Sequence, residues 1–154
     1  MPAATDRHLR FTLPDVVAAT AGREHAAGAW LSHRDARTSV MMQIPDVGAF
    51  VRASLEVRLS DHSTVTFGIW LSVHPEALQI AHEVRDQPSY LALTVDGLLA
   101  NAVPPWGMLA APVHAVVRDR RHPPYCESSS DPLLTRVLTH EWPTHTIVTA
   151  LDAI

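Results

Sequence analysis

Hydrophobic and polar side chains alternate most regularly between Ala49 and Val73. Val51, Ala53, Leu55, Val57 and Leu59 are interleaved with Phe50, Arg52, Ser54, Glu56 and Arg58. Val65, Phe67, Ile69, Leu71 and Val73 are interleaved with Thr64, Thr66, Gly68, Trp70 and Ser72. A period of two sends successive side chains to opposite faces of a strand, so each run predicts a strand with one apolar face. Ser60-Asp61-His62-Ser63 carries turn chemistry and joins the two as an antiparallel hairpin. Directly opposed residues share a face, and both apolar sets fall on odd numbers, so opposed numbers must sum to an even value. The pattern therefore predicts a three- or five-residue loop, or a bulge. Arg52 then lies opposite or diagonal to Trp70 on the polar face. A guanidinium stacked there on the indole is worth roughly 0.5–1 kcal/mol if exposed.

Elsewhere the pattern is more broken. Val40 to Ile44, Leu109 to Arg118 and Tyr125 to Ser128 read as short strands, with Pro112 confining the second to a sheet edge or a strand start. His74-Pro75-Glu76 opens a helix, with proline at the first helical position and an acid near the positive end of the dipole. Ala77, Ile80, Ala81 and Val84 line its apolar face, with Leu78 at the margin. Asp131-Pro132 opens a second helix bearing Leu133, Leu134, Val137 and Leu138. Pro143-Thr144 ends it, and Ile147, Val148 and Leu151 mark a terminal helix. Residues 1–38 carry the weakest pattern: Pro14 to Thr20 predicts a short helix capped by Thr12, and Ala26 to Leu31 another turn. The sum is an α+β domain, residues 1–154, with a twisted, mostly antiparallel sheet of about five strands and helices packed on one face.

Composition narrows the function classes. The chain has 154 residues, the size of one ordinary domain, and 47% apolar with 18% charged residues fits a globular protein. A net charge of −4 gives no reason to expect a nucleic-acid partner. All 12 basic residues are arginine, which excludes chemistry that needs a lysine amine. The lone cysteine, Cys126, allows no internal disulfide and no multi-cysteine zinc site. No stretch approaches the roughly 18 apolar residues of a membrane span. Asp6, Arg7, His8 and Arg10 interrupt any signal-like run, so a cytoplasmic address is expected, with no membrane partner.

Motifs that catch the eye weaken when read physically. His140-Glu141-Trp142-Pro143-Thr144-His145 has the wrong spacing for a zinc protease, and Pro143 breaks the helix between the imidazoles. His122 and Cys126 are separated by Pro123-Pro124, an extended segment that points them apart. Ser130 and Asp131 precede a helix and form either an anion site or a cap, the cap being the plainer account. The ten histidines are scattered, so no metal site is expected. Trp106, in the stiff segment Asn101 to Gly107, is either a binding anchor or the cover of a core edge. Neither a phosphate loop nor a nucleophile elbow is present, and no catalytic set or cofactor is expected.

Several blocks resemble the bacterial domain-of-unknown-function family 2199. They are Met41-Met42-Gln43-Ile44-Pro45, Gly48-Ala49-Phe50-Val51-Arg52, Phe67-Gly68-Ile69-Trp70-Leu71-Ser72-Val73, and Pro104-Pro105-Trp106-Gly107 after Leu99-Ala100-Asn101. Ser130-Asp131-Pro132-Leu133 resembles a late helix start of that family. The likeness spans residues 39–150 and implies no activity. The Cys-x-x-Cys pair that many members carry near their start has no counterpart here.

The expectation is a binding or regulatory module that presents the polar hairpin face, with Arg52, Trp70 and Trp106 as its contact residues. One alternative is a small-molecule-binding protein or enzyme whose histidines, Cys126 and Asp131 converge in a pocket. Another is a homodimer formed through an edge strand or an apolar patch.

Overall fold

The structure is a computed structural model and describes residues 6–153. The strands are β1 (Arg7–Arg10), β2 (Trp30–Leu31), β3 (Met41–Ile44), β4 (Gly48–Leu59), β5 (Thr64–Val73), β6 (Thr94–Leu99), β7 (Pro112–Val116), β8 (Tyr125–Ser128) and β9 (Glu141–Trp142). The helices are α1 (Asp15–Ala18), α2 (Pro75–Val84), α3 (Pro132–Thr139) and α4 (Thr144–Asp152). The α+β class holds. Among the described residues no helix is long and apolar enough to cross a membrane.

The expected, mostly antiparallel sheet of about five strands is replaced by a larger, mixed one. Nine strands run in the order β1-β5-β6-β7-β8-β4-β3-β2, with β9 added on β4. Because β4 also pairs with β5, the run β5-β6-β7-β8-β4 closes into a five-stranded barrel. The pairings β1–β5, β4–β8 and β4–β9 are parallel. The cause is the length of β4. Its 12 residues outrun any single partner, so its second edge is shared among β3, β8 and β9. Closure of this kind removes bare strand edges from the barrel.

The hairpin follows the parity argument. Arg52 opposes Trp70 and Arg58 opposes Thr64, so each pair sums to an even number. The Leu59 N–H donates to the Ser63 carbonyl across a three-residue loop, in which His62 takes a left-handed φ of 69°. The odd-numbered residues of β4 and β5 face the barrel interior. There they meet Leu78 and Ala81 of α2, Leu134 and Val137 of α3, and Ile147 of α4. The even-numbered face carries a second core, in which Phe50 and Trp70 pack with Met42, Ile44 and Val17 of α1. Helices therefore pack on both faces of the hairpin, not one.

Local departures have local causes. Residues 26–31 form no helix; Gly28 turns the chain at φ 84° and β2 then pairs with β3. In α2 the buried stripe is Leu78 with Ala81, while Ile80 is 54% exposed, because the helix presents its i, i+3 edge to the barrel. The strand β6 carries no alternation strong enough to announce itself, since Gly97 interrupts it. That glycine closes the barrel. A Cβ placed there would lie 2.7 Å from the Ser72 carbonyl oxygen and 3.0 Å from Val73 Cγ1, where β6 joins β5. Gly97→Ala is expected to cost roughly 1–3 kcal/mol by overpacking against backbone. Urea denaturation measures this, and an unchanged midpoint contradicts the close approach.

Candidate functional site

The even face of the hairpin divides into two zones. In the first, residues 11–39 fold over Arg52 and Trp70, which are 1% and 0% exposed. Arg52 Nε donates to the Ser39 carbonyl at 3.0 Å. Its Nη1 donates to the carbonyls of Phe11 at 2.7 Å and Gly68 at 3.2 Å. Its Nη2 donates to Thr12 at 3.5 Å and Ala36 at 3.4 Å. A guanidinium has five N–H donors in a fixed fork, and here each has a backbone oxygen. The guanidinium carbon lies 4.2 Å from the centre of the Trp70 ring, a stack worth about 2 kcal/mol when desolvated. Burial, and then the nearby Arg10, pull the Arg52 pKa down to about 9, which still leaves it charged at neutral pH.

Asn101 makes a second tie beneath the same cover. Its Oδ1 accepts from the Trp70 N–H at 2.8 Å, and its Nδ2 donates to the Leu13 carbonyl at 2.9 Å and the Asp15 carboxylate at 3.0 Å. The expected solvent-facing pair of Arg52 and Trp70 is thus corrected: both are interior. The physical reason is that the N-terminal segment supplies bare carbonyls, which only a buried fork of donors can satisfy.

Trp106 does not join this face. It packs on the barrel core with Phe67 and Trp142, at centroid distances of 6.4 and 5.1 Å, both edge to face. Neither Trp106 Nε1 nor Trp142 Nε1 has a hydrogen-bond partner among the described residues, although edge-to-face rings let an edge hydrogen meet a π face. Asp131 caps α3 by accepting from the Leu134 N–H at 2.9 Å, and exposed Ser130 precedes it. Neighbouring hydroxyls bond inward: Ser129 to the Pro112 carbonyl and Thr135 to the carbonyls of Ser129 and Asp131.

The imagined pocket of histidines, Cys126 and Asp131 is not assembled. Among the described residues no three His, Cys, Asp or Glu side chains gather. Cys126 faces the barrel core, where burial pushes its thiol up to about 12.

The second zone of the even face is open. Three cross-strand rows can be followed from the register. His8, Thr66 and Glu56 lie in one; Arg10, Gly68, Ser54 and Tyr125 in the next; Trp70 and Arg52 in the third, under the cover. In the middle row Gly68 has no side chain, and Arg10 leans over it, with its Cγ 3.1 Å from where a Cβ would stand. The result is a groove of about 390 Å³ floored by Ser54, Thr66 and Gly68 and walled by Arg10, His122 and Tyr125. Ser54 is only 8% exposed, yet its hydroxyl has no partner among the described residues and opens on the groove. Glu56 is engaged by Arg118, which also stacks 4.2 Å from the Tyr125 ring centre. His122 Nδ1 contacts Asp119 at 2.8 Å. Arg10 makes no ion pair among the described residues.

Sequence reasoning missed Arg10 and Ser54 as a pair. The parallel docking of β1 on β5 brings them together, and no local pattern announces it. No protein-family model, curated protein or solved structure matches the chain.

Two outcomes follow. Arg52→Met withdraws the guanidinium from five carbonyls, of which only Gly68 and Thr12 keep another donor, the Phe11 N–H and Trp70 Nε1–H, and is expected to cost on the order of 3–5 kcal/mol, as removing half of a buried polar pairing does. Arg52→Lys, with three donors and no planar stack, recovers only part of this. Urea unfolding measures both, and stability equal to wild type in either variant contradicts the role. Cys126 has a folded-state pKa above its unfolded one. Its contribution to stability is therefore complete below about pH 9 and lost as the pH rises toward about 12. Cys126→Ala should flatten the alkaline limb of a stability–pH curve, and native protein should resist thiol reagents until it unfolds. Labelling of native protein at the rate of a free thiol contradicts this.

Proposed function

We propose that the protein is a binding module for a small, hydroxylated molecule carrying an oxyanion, taken up in the groove between β1 and β8. The reading keeps the polar hairpin face as the working surface and moves its centre from Arg52 and Trp70 to Arg10 and Ser54. One observation carries it: among the described residues Ser54 has a hydroxyl without a partner beside Arg10 and buried Arg52, two guanidiniums that form no ion pair with Asp6, Glu56 or any other carboxylate.

The chemistry is complementary. An oxyanion accepts charge-assisted hydrogen bonds from a guanidinium and a hydroxyl, and such bonds are about twice as strong as neutral ones. Its charge also offsets the repulsion between Arg10 and Arg52. Gly68, having no side chain, lets Arg10 lie close on the sheet beside Ser54. Beyond it, Thr66, Thr64 and His8 offer donors and acceptors to hydroxyl groups, and Tyr125 offers a flat ring wall. The volume exceeds that of a bare phosphate, which favours a phosphorylated sugar over a free ion. The likeness to family 2199 belongs to this reading and adds no activity to it. A cytoplasmic setting fits a lone, unpaired cysteine.

Titration with a hexose phosphate, against sodium chloride at equal ionic strength, tests the reading by amide chemical shifts. Saturable shifts are expected at Ser54, Thr66 and Gly68. Arg10→Met should weaken binding at least about tenfold, the equivalent of one charge-assisted contact. Shifts that follow ionic strength alone, or an Arg10→Met variant that binds as well as wild type, overturn it.

A further inference from the structure

A second cavity adjoins the segment 120–124 and shares His122 and Pro123 with the groove. Its floor is apolar and belongs to the mouth of the barrel: Met41, Val51 and Ala81 from the interior core, with Val40 and Leu93 beside them. Its volume is about 180 Å³. An engineered protein cavity of about 150 Å³ admits benzene, so this one has room for a single ring and little more.

The rim has the opposite character. Arg85 comes from the residue that ends α2, and Arg120 and Arg121 from the segment that leads into β8. None of the three makes an ion pair among the described residues, and Arg85 has only a 3.5 Å contact with His33 Nε2. Asp86 is the one carboxylate among the lining residues. Arg85, Arg120 and Arg121 therefore face one acid around a ring-sized pit, and buried Arg52, which also lines it, adds a fourth positive charge.

The two walls are joined. Tyr90 donates its hydroxyl to the His122 carbonyl at 2.7 Å, fixing the segment 118–124 against the turn that follows α2. Burial pushes the Tyr90 phenol up to about 12, so the donor stays protonated across the working range. The pit is thus held open by a bond that does not use the rim arginines.

We propose that this cavity binds a small monocarboxylate with a compact apolar body, of the size of an aromatic acid with one ring. The ring displaces water from the Met41, Val51 and Ala81 surface. The carboxylate meets the guanidinium fork of Arg120 or Arg121, which matches its two oxygens. A polar body, such as the sugar suited to the groove, leaves hydroxyls unsatisfied against that floor. The two sites share only His122 and Pro123 among their lining residues.

Benzoate is the probe, followed through the methyl signals of Met41, Val51, Ala81 and Leu93. Saturable shifts are expected in these methyls, with benzamide binding at least about tenfold more weakly because it lacks the charge. The double variant Arg120→Gln with Arg121→Gln lies on exposed side chains, leaves the core intact, and should weaken benzoate by a similar factor. Hexose phosphate should not compete, whatever its own affinity for the groove. Absence of saturable methyl shifts overturns the proposal. So does benzamide binding as tightly as benzoate, or a double glutamine variant with wild-type affinity.

Discussion

A buried cation with no counter-ion among the described residues organises this molecule. Arg52 stands in the longest strand, with its charge enclosed by five backbone carbonyls and the face of Trp70. Burial of an isolated charge is costly, and every donor must be satisfied for the arrangement to persist. Those donors reach three separate stretches of chain: Phe11 and Thr12, Ala36 and Ser39, and Gly68 of the neighbouring strand. A segment whose regular elements are all of four residues or fewer is thereby fixed to a barrel through its main chain. Asn101 repeats the device on a smaller scale, through Trp70, Leu13 and Asp15.

The same constraint shapes the open surface. Because residues 11–39 lie over one end of the hairpin face, β1 is delivered alongside β5 in parallel, and Phe11 continues it by donating to the Gly68 carbonyl at 2.9 Å. Arg10 then arrives above Gly68 and beside Ser54. The interior clamp and the exterior groove are neighbouring rows of one sheet face. The positive charge that holds the segment down lies one row from the groove for which an anion is proposed.

How much of this is legible in the chain depends on the range of the interaction. The hairpin is legible because alternation at 49–59 and 65–73 is a local property, and parity alone limits the loop joining them. The starts of α2 and α3 are legible because Pro75 and Pro132 sit where a missing N–H costs nothing, with His74 and Asp131 as caps. Barrel closure is not legible, since it depends on β6 returning to β5 through a glycine contact. The cover over Arg52 is not legible either: its anchoring atoms are main-chain oxygens of Phe11, Thr12, Ala36 and Ser39, which every residue type carries. Hence Arg52 and Trp70 are recognisable as a pair from sequence, but their position, inside or outside, is decided elsewhere. Ser54 and Arg10 have the same difficulty in reverse, being ordinary polar residues until the parallel pairing unites them.

The most direct test is to observe the Arg52 side chain itself by nitrogen-detected or proton-detected magnetic resonance at neutral pH. A clamped, charged guanidinium should show separate, slowly exchanging Nε and Nη protons with hindered rotation, distinct from the averaged signals of surface arginines. A single averaged Arg52 resonance exchanging freely with water would contradict the clamp and everything built on it.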